Sequence, residues 1–195
     1  MKKIIAAVAL LLMLATLMSS RAQSIENATI EREEYAVYSA IIPKTYHNAE
    51  GGILIISNPS WRYPNQISKK DFHFFYPAPV VSQDTLDDFL QRNKANRWFE
   101  RKFQLDFAYV LVDHTEIDRL VGKNPISEWK EFSKQYPSSH GFASYSRAGF
   151  NQKLNQALVF RSWACPHLCG ESEFLLLEKK DDVWKVVNTA NREVS

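Results

Sequence analysis

Gly141 to Val187, GFASYSRAGFNQKLNQALVFRSWACPHLCGESEFLLLEKKDDVWKVV, is the stretch on which the fold turns. Four short runs within it, Phe142 to Arg147, Gln156 to Trp163, Phe174 to Lys179 and Val183 to Val187, are rich in β-branched, aromatic and aliphatic residues and are parted by Gly, Asn, Pro and Asp. The pattern predicts four antiparallel strands. Asp181-Asp182 suits a two-residue hairpin connection, which would set Lys180 opposite Val183, Lys179 opposite Trp184 and Leu177 opposite Val186. In that register Leu175, Leu177, Trp184 and Val186 share a core face, while Phe174, Leu176 and Val187 lie on a second face with the Glu178 and Lys185 pair. The second face is expected to be only partly covered.

Upstream, the apolar and cap patterns predict the covering layer. Thr29 to Ile42 reads as a helix capped at Thr29, with Tyr35, Tyr38, Ile41 and Ile42 on one stripe. Gly52 to Ser57 reads as a buried strand and Phe107 to Asp113 as another strand. Thr85 to Arg97, capped by Asp84, reads as a second helix, Thr115 to Leu120 as a short one capped by Thr115, and Asn124 to Tyr136 as an amphipathic one stopped by Pro137. The expected fold class is α+β, an antiparallel sheet made of the C-terminal four-strand meander plus one or two earlier strands, packed by three to four helices against one face. A cystatin-like or NTF2-like wrap fits that description.

The N-terminus reads as a targeting segment. Lys2 and Lys3 precede the apolar run Ile4 to Met18, and Ser20-Arg21-Ala22 supplies small residues where a signal peptidase cuts, so residues 1–22 are expected to be a signal peptide and residues 23–195 a single domain. The apolar run is shorter than the ~20 residues of a membrane-spanning helix, so no transmembrane helix is expected after signal removal. Losing Lys2, Lys3 and Arg21 leaves 21 basic against 22 acidic residues, which removes the basic surplus that nucleic-acid binding needs. The expected location is the periplasm or the outside of the cell.

From about Glu33 to Val187 the chain resembles a family of exported bacterial proteins to which no activity is assigned. The resemblance is carried by Glu34-Tyr35-Ala36-Val37-Tyr38-Ser39, Tyr145-Ser146-Arg147-Ala148-Gly149-Phe150-Asn151, Gln156-Ala157-Leu158-Val159, Cys165 through Gly170, and Trp184-Lys185-Val186-Val187. It implies an exported α+β domain and supplies no catalytic residues. Ser172 and Asp182 stand where that family usually has glycine.

Candidate chemistry is sparse. Asp113-His114 with Glu116 and Asp118 follows a strand end and could hold a base or a metal, but Asp118 and Thr115 already suit helix capping. His47 and Glu50 lack the H-E-x-x-H spacing. Arg147 could grip a carboxylate, although Gly149 and Asn151 beside it favour a turn. Arg92, Lys94, Arg97, Arg101 and Lys102 interleave with Trp98 and Phe99, a pattern suited either to an anionic surface or to a solvated helix end. In the long aromatic connection Asn58 to Ser82, the residues Trp61, Tyr63, Phe74 and Tyr76 form the candidate contact surface for a ligand or an envelope partner, against the plainer reading of a lid that packs inward.

Cys165-Pro166-His167-Leu168-Cys169 resembles the C-P-H-C centre of periplasmic oxidases with one residue inserted, but strands flank it on both sides where that centre has a helix. A structural disulfide between Cys165 and Cys169 is expected, with a redox centre or a zinc site as rivals. No cofactor or metal is called for. The function expected is a non-catalytic ligand- or partner-binding module, with a hydrolase at Asp113-His114 or a thiol-disulfide protein at Cys165 and Cys169 as alternatives.

Overall fold

The computed structural model describes residues 2–42, 52–60, 79–121, 129–166 and 169–194, of which 2–21 and 191–194 are described by their backbone alone. The chain runs α1 (Lys2–Ile41), β1 (Leu54–Asn58), α2 (Gln83–Arg92), β2 (Tyr109–Asp113), α3 (His114–Val121), α4 (Trp129–Gln135), β3 (Phe142–Tyr145), β4 (Gly149–Phe150), β5 (Gln156–Ala164), β6 (Glu171–Lys180) and β7 (Val183–Val194). Among the described residues these make an α+β fold with one seven-stranded sheet, ordered β2-β1-β3-β5-β6-β7, with β4 paired to β5. No helix among the described residues is long and apolar enough to cross a membrane. The chain divides into two compact units, residues 1–34 and 35–195. The first is helix throughout its described residues, and Thr29, expected to cap a helix, lies inside α1 with its hydroxyl donating to the Ile25 carbonyl.

The sheet is mostly antiparallel but not wholly so. β1 runs parallel to both of its neighbours, with Ile55 opposite Val110 on one side and opposite Phe142 on the other. The connection from β1 to β2 carries α2 and that from β2 to β3 carries α3 and α4, so the chain returns each time to the same end of the sheet, as parallel pairing requires. An all-antiparallel reading missed this because an apolar run such as Leu54-Ile55-Ile56 does not disclose its direction.

At the C-terminal hairpin Lys180 pairs with Val183 and Leu177 with Val186. Asp181 and Asp182 both take positive φ, 52° and 59°, so two aspartates make a turn more often built with glycine or asparagine. Leu175, Leu177 and Trp184 are buried as expected of the core face. Val186, expected to join them, is 43% exposed, because β7 is the last strand of the sheet order. A register shift also separates the pairs of Leu176 and Leu177.

Helices cover both sides, in place of the expected single covered face. The registers put Ile55, Phe142, Leu158, Phe160, Phe174 and Leu176 on one side of the sheet. Ile117 and Leu120 of α3 and Trp129 and Phe132 of α4 pack over its Ile55 and Phe142 end, and Leu86 and Phe89 of α2 over its Leu158, Phe160, Phe174 and Leu176 end. Phe174 and Leu176 are therefore fully buried instead of partly covered. On the opposite side Tyr38, from the last turns of α1, packs its ring 5.7 Å from Tyr145 and 5.3 Å from Phe99, and donates from its hydroxyl to the Ser146 carbonyl at 2.9 Å.

α2 is latched by polar side chains as well as by its apolar stripe. Its cap is Ser82, not Asp84, and it stops at Arg92 instead of Arg97. It stops there because Asn93 donates its amide to the Phe89 and Arg147 carbonyls and accepts from the Arg147 N–H, which turns the chain toward the segment after β3. Asp88 accepts from the Phe150 N–H, Asp84 from the Gln152 N–H, and Gln156 Oε1 from the Ser82 N–H. The motif Ser146 to Asn151 thus serves to dock α2. Gly149 is required there, since a Cβ would run into the backbone of Phe89.

Two outcomes follow. Gly149→Ala should lower the unfolding free energy by about 2–3 kcal/mol, read from the urea midpoint, because the obstructing atoms are helix backbone and cannot swing aside. Hydrogen bonds from Ser82 and Gln152 hold the Asp84 carboxyl below its ordinary value of 3.8. A carboxyl depressed on folding contributes stability above its unfolded pKa that is lost as pH falls through the folded one. Asp84→Asn should therefore lower the midpoint at pH 6 and bring it toward wild type below pH 3.8.

Candidate functional site

Asp113 and His114 sit where β2 hands over to α3. Asp113 Oδ1 accepts from the Thr115 N–H at 2.9 Å and from its hydroxyl at 2.8 Å, so Asp113 does the capping work expected of Thr115. Those bonds, ahead of the nearby His114 ring, hold its carboxyl below the ordinary value. His114 Nδ1 stands 3.5 Å from Asp113 Oδ1, and both side chains are about half exposed. Glu116 takes a two-point grip from Arg119, which depresses its carboxyl. Asp113 and Glu116 are thus engaged within α3 and at its start, and among the described residues no group of three His, Cys, Asp or Glu side chains is placed to hold a metal ion.

Cys165 and Cys169 form a disulfide with their Cα atoms 5.5 Å apart, across the connection from β5 to β6. Cys165 is buried and Cys169 exposed. The chain entering β3 comes close at this point: a Cβ on Gly141 would lie 2.9 Å from Trp163 Cζ2 and 3.0 Å from Cys165 Cβ. His167, the third ligand of a zinc reading, lies outside the described residues.

Beside the disulfide is a charged cluster that the sequence reading passed over. Arg161 of β5 faces Glu173 of β6 in the register, donates to its Oε1 from both Nε and Nη2, and donates from Nη2 to Glu171 at 3.2 Å. Its Nη1 donates to the Ile41 carbonyl at 3.1 Å, at the end of α1. A cation there answers the negative end of the helix dipole. All three charged side chains are largely buried, Glu173 being 5% exposed. The signal was present as a lone arginine in the apolar run of β5 and a glutamate at the head of the Leu175-Leu176-Leu177 run, which the strand register sets opposite each other.

Trp61, Tyr63, Phe74 and Tyr76 lie outside the described residues, as do His47 and Glu50. The residues that flank the aromatic connection are described. Ser60 N–H donates to the Arg97 carbonyl at 2.8 Å and its hydroxyl accepts from the Arg97 N–H at 2.9 Å, while the Asn58 side chain pairs with both backbone groups of Phe99. Phe99 and Phe103 turn inward onto Tyr38, but Trp98 between Arg97 and Phe99 is 57% exposed. Of the interleaved cations, Lys102 pairs with Glu100 at 3.0 Å, and Arg92 lies over the Phe150 ring. Arg147 places its backbone on Asn93, and Gly149, expected to favour a turn, pairs with β5 in β4 together with Phe150.

Arg161→Leu should destabilise the fold by about 3 kcal/mol, since it strands a buried carboxylate, and the double change Arg161→Leu with Glu173→Leu should recover much of the loss in urea unfolding. An additive double change would show that the pair does not act as a unit.

Compared with family models, with curated proteins and with solved structures, the chain matches none.

Proposed function

We propose that the chain is exported, is cut after Ala22, and works in the periplasm or outside the cell as a soluble single domain of residues 23–195 that binds a ligand or an envelope partner without chemistry of its own. The observation that carries the export reading is the Cys165–Cys169 disulfide, because such bonds persist in oxidising compartments. The basic and apolar leader of residues 1–22 and the resemblance to exported bacterial proteins support it.

The contact surface in this reading is carried by Trp61, Tyr63, Phe74 and Tyr76 of the aromatic stretch, and we add to it the exposed Trp98. Ser60, from which that stretch departs, is tied by two hydrogen bonds to Arg97, and the indole of the next residue is largely exposed. Tryptophan presents a large rigid area with a polar edge, which is why it anchors interfaces. The binding reading is preferred over a hydrolase at His114 because Asp113 and Glu116 are already engaged by Thr115 and Arg119. Exposure of Cys169 favours a second reading, a thiol-disulfide protein.

Expression in a bacterial host should yield mature protein beginning at Gln23 in the soluble envelope fraction or the medium; Met1 retained on membrane-bound protein would overturn export. A photoreactive side chain at position 98 should capture a specific adduct in living cells where the same group at Lys185 does not. Turnover in an insulin-reduction assay would instead select the thiol-disulfide reading.

A further inference from the structure

The Arg161 cluster joins the head of β6, which follows the disulfide directly in the chain, to the end of α1. Trp163 opposite Glu171 is the last pair of the β5–β6 ladder before the connection that the disulfide spans, and Glu171 is two residues beyond Cys169. The Glu171 carboxylate holds Nη2 of Arg161 at 3.2 Å, and Nη1 of the same guanidinium holds the Ile41 carbonyl at 3.1 Å. We infer that the Cys165–Cys169 disulfide is a redox-addressed lock on the last turn of α1, entered at Cys169 and relayed through Glu171 and Arg161.

The order of events follows from access. A thiolate of an external dithiol reaches the exposed Cys169 Sγ and not the buried Cys165. A bond forms from the incoming sulfur to Cys169 Sγ as the Cys165–Cys169 bond breaks. Cys165 Sγ leaves with the electron pair and takes a proton from water. The second thiol of the reagent then displaces Cys169 as thiolate, so the dithiol is oxidised to its cyclic disulfide and both cysteines are reduced. Without the strap the Glu171 end of β6 frays from Trp163, its carboxylate leaves Arg161, and the guanidinium keeps Glu173 but loosens on the Ile41 carbonyl. Glu173 remains because it lies deeper in the ladder, opposite Arg161 itself.

Hydrogen exchange reads this directly. The amide of Ile42 donates to the Tyr38 carbonyl at 3.1 Å and reports on the last turn of α1. In the full chain held in dithiothreitol, the amides of Ile42 and of residues 171–173 should exchange about 30-fold faster than in the oxidised protein, the equivalent of the chain entropy of so short a loop. Those of residues 175–179 should keep their protection. Oxidised Glu171→Gln should reproduce the Ile42 effect with the disulfide intact. Unchanged Ile42 exchange on reduction would make the disulfide a passive strap, and uniform loss across the sheet would make it a support of the whole fold; either overturns the lock. Failure of Glu171→Gln to loosen Ile42 would overturn the relay. A brief pulse of glutathione quenched in acid should leave the adduct on Cys169, and an adduct on Cys165 would overturn the order of attack.

Discussion

Ala157-Leu158-Val159-Phe160 on β5 and Phe174-Leu175-Leu176-Leu177 on β6 are buried without a break, and they lie against one another in continuous register from Gln156 opposite Glu178 to Trp163 opposite Glu171. Successive side chains of a strand point to opposite sides, so an unbroken buried run obliges the chain to cover both. Among the described residues, α2, β4 and the last turns of α1 answer to that obligation. α2 lays Leu86 and Phe89 on the side of Leu158 and Leu176, and Phe150 with Trp184, 5.8 Å apart, lies on the side of Ala157 and Leu177. The last turns of α1 cover the neighbouring part of that second side through Tyr38 on Tyr145.

Covering a sheet with short or irregular elements leaves backbone groups to satisfy, and polar side chains do that work. Tyr35 Oη accepts from the Glu100 N–H at 2.7 Å, Ser39 Oγ from the Gln104 N–H at 2.9 Å, and Asn58 meets both backbone groups of Phe99. The segment 97–104 has no regular structure, yet it is held through these bonds as a strand is held by its ladder. Ser146 behaves likewise, its hydroxyl accepting from the Phe160 N–H at 2.8 Å just after β3 ends. Ser39, Asn58 and Ser146 are in this way structural donors and acceptors for backbone that no ladder serves.

This division explains what was legible beforehand. The α+β class and the cysteine pair could be read because alternation, spacing and compartment chemistry are local. The hairpin could be read because two-residue turns fix register within a few residues. The parallel partners of β1 could not be, since Ile55 meets Val110 and Phe142 only after long crossovers. Nor could the early stop of α2, since the helix expected to run to Arg97 ends where Asn93 is committed to Phe89 and to Arg147 across 54 residues of chain. Arg161 was missed for a related reason: a buried cation is recognisable only once its partners on β6 and the carbonyl of Ile41 are brought to it. Of the candidate site, Asp113 caps α3 where Thr115 had been expected to, because its carboxylate reaches both the Thr115 N–H and hydroxyl.

The register shift between the Leu176 and Leu177 pairs bears on how the molecule meets other copies of itself. β7 ends the sheet order, and a flat final strand carrying Val183 and Val186 at its surface would be a template for adding strands from other copies. An irregularity in the pairing twists a strand out of the plane in which a second chain would have to lie, and Lys185 between the two valines adds a charge that a dry intermolecular seam does not accept. The defect in the ladder is in this sense protective: it guards solubility at the margin of the sheet where apolar side chains reach the surface.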